Sequence, residues 1–93
     1  MPVAGVGGVP AMNAGVPPTA VVLNVTVTNP SSGSYLTIWP DAATRPTTSD
    51  LNFVRGLTVP NLVVVKLGTS GSIDIYNGYG STDVVVDVVG WFG

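Results

Sequence analysis

Thr19-Ala20-Val21-Val22-Leu23-Asn24-Val25-Thr26-Val27-Thr28 decides the fold class of this 93-residue chain. Val21, Leu23, Val25 and Val27 fall on one side of an extended ribbon. Val22, Asn24, Thr26 and Thr28 fall on the other. Alternation with a period of two marks a strand with one face buried. The bias extends beyond this stretch, because valine contributes 18 residues, threonine 10 and isoleucine 3. β-Branched side chains stiffen the backbone and pack well on a pleated surface.

Outward from that ribbon, the chain alternates between apolar runs and turn chemistry. Asn29-Pro30-Ser31-Ser32-Gly33 is a loop, and residues 34–39 resume as a strand with Leu36 and Ile38 inward and Tyr35, Thr37 and Trp39 outward. The two strands are expected to form a hairpin. Pro40 to Thr48 is a longer loop, extended before Pro46 by the steric restriction that proline imposes. Residues 49–54 read as a short strand with Leu51 and Phe53 inward. Residues 61–67 are nearly all apolar, the pattern of a central strand covered on both faces. Gly68-Thr69-Ser70-Gly71 reads as a tight hairpin loop into residues 72–76, where Ile73 and Ile75 face inward. Residues 83–89 form the last strand, and Trp91 and Phe92 are placed to cap the open end of the core. Six strands with frequent turns and no helical period predict an all-β domain, an antiparallel sandwich or barrel-like fold.

Residues 1–18 read as a Gly/Pro-rich opening segment of a single domain spanning 1–93, with Gly5-Val6-Gly7-Gly8 as a flexible stretch. It has no preceding strand, following helix or lysine, so it does not form a phosphate loop. Met1-Pro2-Val3-Ala4-Gly5 has no charged and apolar export signal and reads as the start of an excised piece.

Composition excludes many activities. With no Cys, His or Glu, the chain lacks disulfides, thiolate or imidazole metal sites, and Ser-His-Asp or Cys-His catalysis. Two Arg and one Lys against five Asp are too few cations for nucleic-acid binding. The longest apolar runs, such as Val84-Val85-Val86, are far too short for a membrane helix. Asp41, Asp50, Asp74, Asp83 and Asp87 show no spacing that selects a glycosidase pair or a calcium loop. The chain is therefore expected not to be an enzyme and to need no cofactor. Asp41 and Arg45 are expected to form a loop-ordering ion pair. Thr19-Ala20-Val21-Val22-Leu23-Asn24-Val25 and Thr82-Asp83-Val84-Val85-Val86-Asp87-Val88 echo one another. If the two strands pair, Asn24 and Asp87 meet and fix the register.

Aromatic residues provide the candidate site. Trp39, with Asp41 nearby, and Tyr76-Asn77-Gly78-Tyr79 combine flat rings with amide and carboxylate groups, the chemistry of a sugar-binding surface. Trp39, Asp41, Tyr76, Asn77 and Tyr79 are its candidate ligand-binding residues. Alternatively, these rings simply cover the edges of a small core.

Several segments share an order with a known type of domain: Gly7-Gly8-Val9-Pro10, Ala20-Val21-Val22-Leu23-Asn24-Val25-Thr26, Tyr35-Leu36-Thr37-Ile38-Trp39-Pro40, Ser49-Asp50-Leu51-Asn52-Phe53, Thr58-Val59-Pro60-Asn61-Leu62-Val63 and Ser81-Thr82-Asp83-Val84-Val85-Val86-Asp87-Val88-Val89-Gly90-Trp91-Phe92. Together they resemble the Val/Thr/Gly-rich β-domain of exported actinobacterial cell-surface and cell-wall-associated proteins. The resemblance implies a secreted or cell-surface module and transfers no catalytic residue. The family unit has an additional first segment with an Arg-Leu-Leu-Asp-Thr-Arg-like motif, missing here, which implies an unpaired sheet edge. The expected function is self-assembly and cell-surface display or adhesion, with other copies of the chain as partners. The alternative is a carbohydrate-binding module whose partner is a cell-wall or other polysaccharide.

Overall fold

The computed structural model describes residues 1–41 and 43–93. The six strands are β1 (Ala20–Thr28), β2 (Ser34–Pro40), β3 (Leu51–Phe53), β4 (Val59–Lys66), β5 (Ile73–Asn77) and β6 (Asp83–Phe92). They form two three-stranded antiparallel sheets, ordered β4-β1-β6 and β3-β2-β5. The fold is a sandwich-like all-β domain, as the apolar alternation predicts.

β1 is the hub of this arrangement. Val21, Leu23, Val25 and Val27 are each fully buried. They pack with Leu36, Ile38, Leu51, Phe53, Ile73, Val63 and Val65 from the other strands. Removing this much apolar surface from water is the main force holding the two layers together.

The expected hairpins do not form. β1 is flanked on one edge by β4 and on the other by β6, so no edge remains for β2. The chain turns at Asn29, with φ 53°, buries Pro30 and crosses to the other sheet. Likewise, Gly68 to Gly71 carries the chain between sheets because β5 pairs with β2 rather than β4. β4 lies at an edge rather than at the centre. Val63 and Val65 face the core, while Leu62 and Val64 face outward and are 62% and 61% exposed. The valine run that reads as buried on both faces is buried on only one.

Two other parts of the chain also differ from the sequence reading. The opening segment is tied down: Val3 and Val9 join the core, and the amides of Val3 and Ala4 donate to the Gly71 carbonyl at 3.0 and 2.9 Å. Gly5 and Gly7, at φ 78° and 61°, take left-handed conformations that fold this segment back onto the sandwich. Trp91 and Phe92 do not cap the core, because they remain 40% and 55% exposed. The echo between β1 and β6 does predict pairing, with Asn24 opposite Asp87. A bulge between Val22 and Leu23 then shifts the register.

Asp50 extends the short β3 ladder by a different route. Its amide donates to the Leu36 carbonyl at 2.8 Å, and its carboxylate accepts the Ile38 amide at 2.7 Å. Its own carbonyl accepts from Asn61 Nδ2 at 2.6 Å, linking the loop to β4. Asp50 thus satisfies backbone groups of β2 beyond the end of β3. Hydrogen bonds to a charged partner contribute about 1.5–3 kcal/mol. The expected outcome for Asp50→Ala is a loss of about that size in urea unfolding, with Asp50→Asn retaining part of it.

Candidate functional site

The outer face of the β3-β2-β5 sheet carries the aromatic cluster. β2 turns Tyr35, Thr37 and Trp39 to this side, and β5 adds Asp74 and Tyr76, with Thr37 opposite Tyr76 and Trp39 opposite Asp74. Residues 43–50 pass over part of the face. Thr37 is consequently buried, and its hydroxyl donates to the Thr48 carbonyl at 2.9 Å.

Tyr35 is the centre of the cluster. Its ring lies 6.2 Å from that of Tyr76 and 6.4 Å from that of Tyr79, nearly perpendicular to the latter. These separations suit edge and tilted aromatic contacts. Gly78 makes the arrangement possible, since a Cβ there would stand 2.5 Å from the Tyr35 ring. The guanidinium carbon of Arg45 lies 3.8 Å from the Tyr76 ring centroid. This cation–π contact replaces the expected Asp41–Arg45 ion pair and covers one face of Tyr76. Tyr79 remains 68% exposed.

The five candidate ligand-binding residues do not form a single array. Tyr76 and Tyr79 meet through Tyr35. Trp39 shares their face but lies farther along β2, and its indole N–H donates to the Ala43 carbonyl at 3.1 Å. Asn77 is opposite inward-facing Leu36, on the other side of the pleat from Tyr76. Its amide is occupied by the turn, with Oδ1 accepting from Ser34 Oγ at 3.1 Å and Nδ2 donating to the Gly80 carbonyl at 3.0 Å. Asp41 lies beside Asp74 rather than among the tyrosines. Sequence alone misses Tyr35 and Arg45. The parity of Tyr35 is legible, but its neighbours follow from the β2–β5 pairing.

Among the described residues there is no enclosed pocket and no group of three or more His, Cys, Asp or Glu able to hold a metal ion. The face offers the exposed Tyr79 ring for stacking beside half-buried Tyr35, Trp39 and Tyr76, with few free polar groups to orient a ligand. Compared with protein-family models, curated proteins and solved structures, the chain matches none.

Partial burial raises the Asp74 carboxyl above its ordinary value of 3.8, with further upward pressure from the charge of Asp41 and a hydrogen bond to it. The Met1 ammonium opposes this shift. A carboxyl with a raised folded-state pKa binds its proton more tightly when folded. Its stabilising contribution is complete below pH 3.8 and is lost as pH rises through the raised pKa. Asp74→Asn is therefore expected to raise the melting temperature at about pH 7 and to leave it nearly unchanged at about pH 3, as read by thermal unfolding across pH.

Proposed function

We propose that this chain is a non-catalytic extracellular β-module that works by self-association, in cell-surface display or adhesion. The observation carrying this reading is the incomplete covering of the β4-β1-β6 sheet. Val84, Val86 and Val88 face the core but are only partly buried, whereas the corresponding residues of β1 are fully buried. On the outer side, Leu62, Val64, Val85 and Val89 are all exposed. A sheet with apolar side chains open on both faces and few charges to oppose contact favours association with a like surface. The resemblance to exported actinobacterial β-domains supports an extracellular setting, and the extended 44 × 25 × 15 Å shape suits a thin building unit.

This reading predicts a mass that increases with concentration in sedimentation velocity and reaches at least a dimer at micromolar concentrations. A single-subunit mass throughout that range contradicts it.

The exposed Tyr79 ring, held against Tyr35, supports carbohydrate binding as a second reading. Under this reading, the chain binds a polysaccharide on a glycan array, and Trp39→Ala and Tyr79→Ala each weaken binding with circular dichroism unchanged. Absence of binding to any glycan contradicts it.

A further inference from the structure

The four outer edges of the two sheets differ in how they resist pairing. β3 has only three residues. The start of β5 is covered by residues 1 and 2: Pro2 bridges Ser72, and Met1 exchanges hydrogen bonds with Ile73 at 2.8 and 2.9 Å. β4 carries Pro60, which lacks an amide proton, and Lys66, whose charge opposes close stacking. β6 has neither proline nor lysine and is the longest strand in the fold. Its protective features are the bulge near its C-terminal end and the charges of Asp83 and Asp87, which oppose some registers but not all, so Asp83 to Val88 remains a regular run. One edge of that run pairs with β1, while the other pairs with no strand among the described residues.

Resting on the self-association reading, we infer that two copies join through β6, antiparallel about a two-fold axis at Val86, giving a continuous sheet β4-β1-β6-β6-β1-β4. The occupant of the open edge is a second copy because a two-fold axis perpendicular to the sheet preserves side-chain parity. The inward valines of one copy then meet those of the other on the same side. Charge selects the register. An axis at Val85 places Asp83 opposite Asp87 twice, and one at Asp87 places that residue opposite itself; like charges directly opposed destabilise a sheet. An axis at Val84 pairs fewer residues, and one at Val88 extends the pairing into the bulge. At Val86, Val84 meets the second copy's Val88, Val86 meets its counterpart, and Val85 meets Asp87. The half-buried valines on the inner side of β6 gain the cover they lack in one subunit.

The absence of native cysteine makes this register directly testable. Directly opposed residues have Cα atoms about 4.5–5.5 Å apart, within the range of a disulfide. Val86→Cys is expected to form a covalent dimer on mild oxidation. Val84→Cys, on the same face but about 13 Å from its counterpart by strand rise, is not. Val85→Asp introduces like-charge opposition on an exposed residue and is expected to weaken association about tenfold, while Val85→Lys retains it. A stable dimer that is insensitive to Val85→Asp and lacks the Val86→Cys cross-link overturns this inference but preserves the self-association reading. A monomer at all concentrations overturns both. Unchanged circular dichroism in each variant separates loss of contact from loss of fold.

Discussion

The structure depends on β1 having both edges paired and its entire inner face buried. A strand has only two hydrogen-bonding edges, and those of β1 are taken by β4 and β6. The valine and leucine residues on its inner face have no contact with solvent. These two conditions determine the rest of the topology. β2 must leave this sheet, cross the core and recruit β3 and β5 into a second layer. The second layer is smaller, so the β6 flank receives less cover than β1.

The proposed self-association rests on this imbalance. The domain has few charged residues, so its surface lacks the dense like-charge repulsion that keeps many proteins apart. Instead, the exposed Leu62, Val64 and Val85 of the larger sheet lie beside Asn24, Thr26 and Thr28 of β1, with Lys66, Asp83 and Asp87 as the charges on its strands. The other sheet edges are shortened, covered or interrupted, while β6 retains a regular run with no strand partner on its outer edge among the described residues. The tyrosine face is on the other sheet, so the proposed self-association and the alternative of carbohydrate contact call on opposite surfaces of the molecule.

Much of the fold is legible in the sequence because strand formation is local. Period-two alternation places Val21 to Val27, Leu36 and Ile38, and Leu51 and Phe53 on the inner faces where the structure has them. Pairing is less legible because it depends on competition for edges. The apolar run in β4 resembles a central strand, yet Leu62 and Val64 are exposed because no layer of the described residues packs over that side. Val3 and Val9 lie among turn-forming residues that obscure their contribution to the core. Asp50 has no local motif for its role, since the backbone groups that it satisfies belong to another strand. At the aromatic site, the residue types are visible in the sequence, but the meeting of Tyr35 with Tyr76 and the placement of Arg45 depend on the β2–β5 register and the loop above it.

Amide hydrogen exchange along β6, measured as a function of protein concentration, tests the unfinished-edge account most directly. In a strand paired on one side, alternate amides point toward the partner and are protected, while those between them face solvent. The account predicts this alternating pattern from Asp83 to Val88 in dilute solution. Protection should extend to the intervening amides as concentration rises, with β4 unchanged. A β6 pattern independent of concentration, with the intervening amides exchanging rapidly throughout, would contradict it.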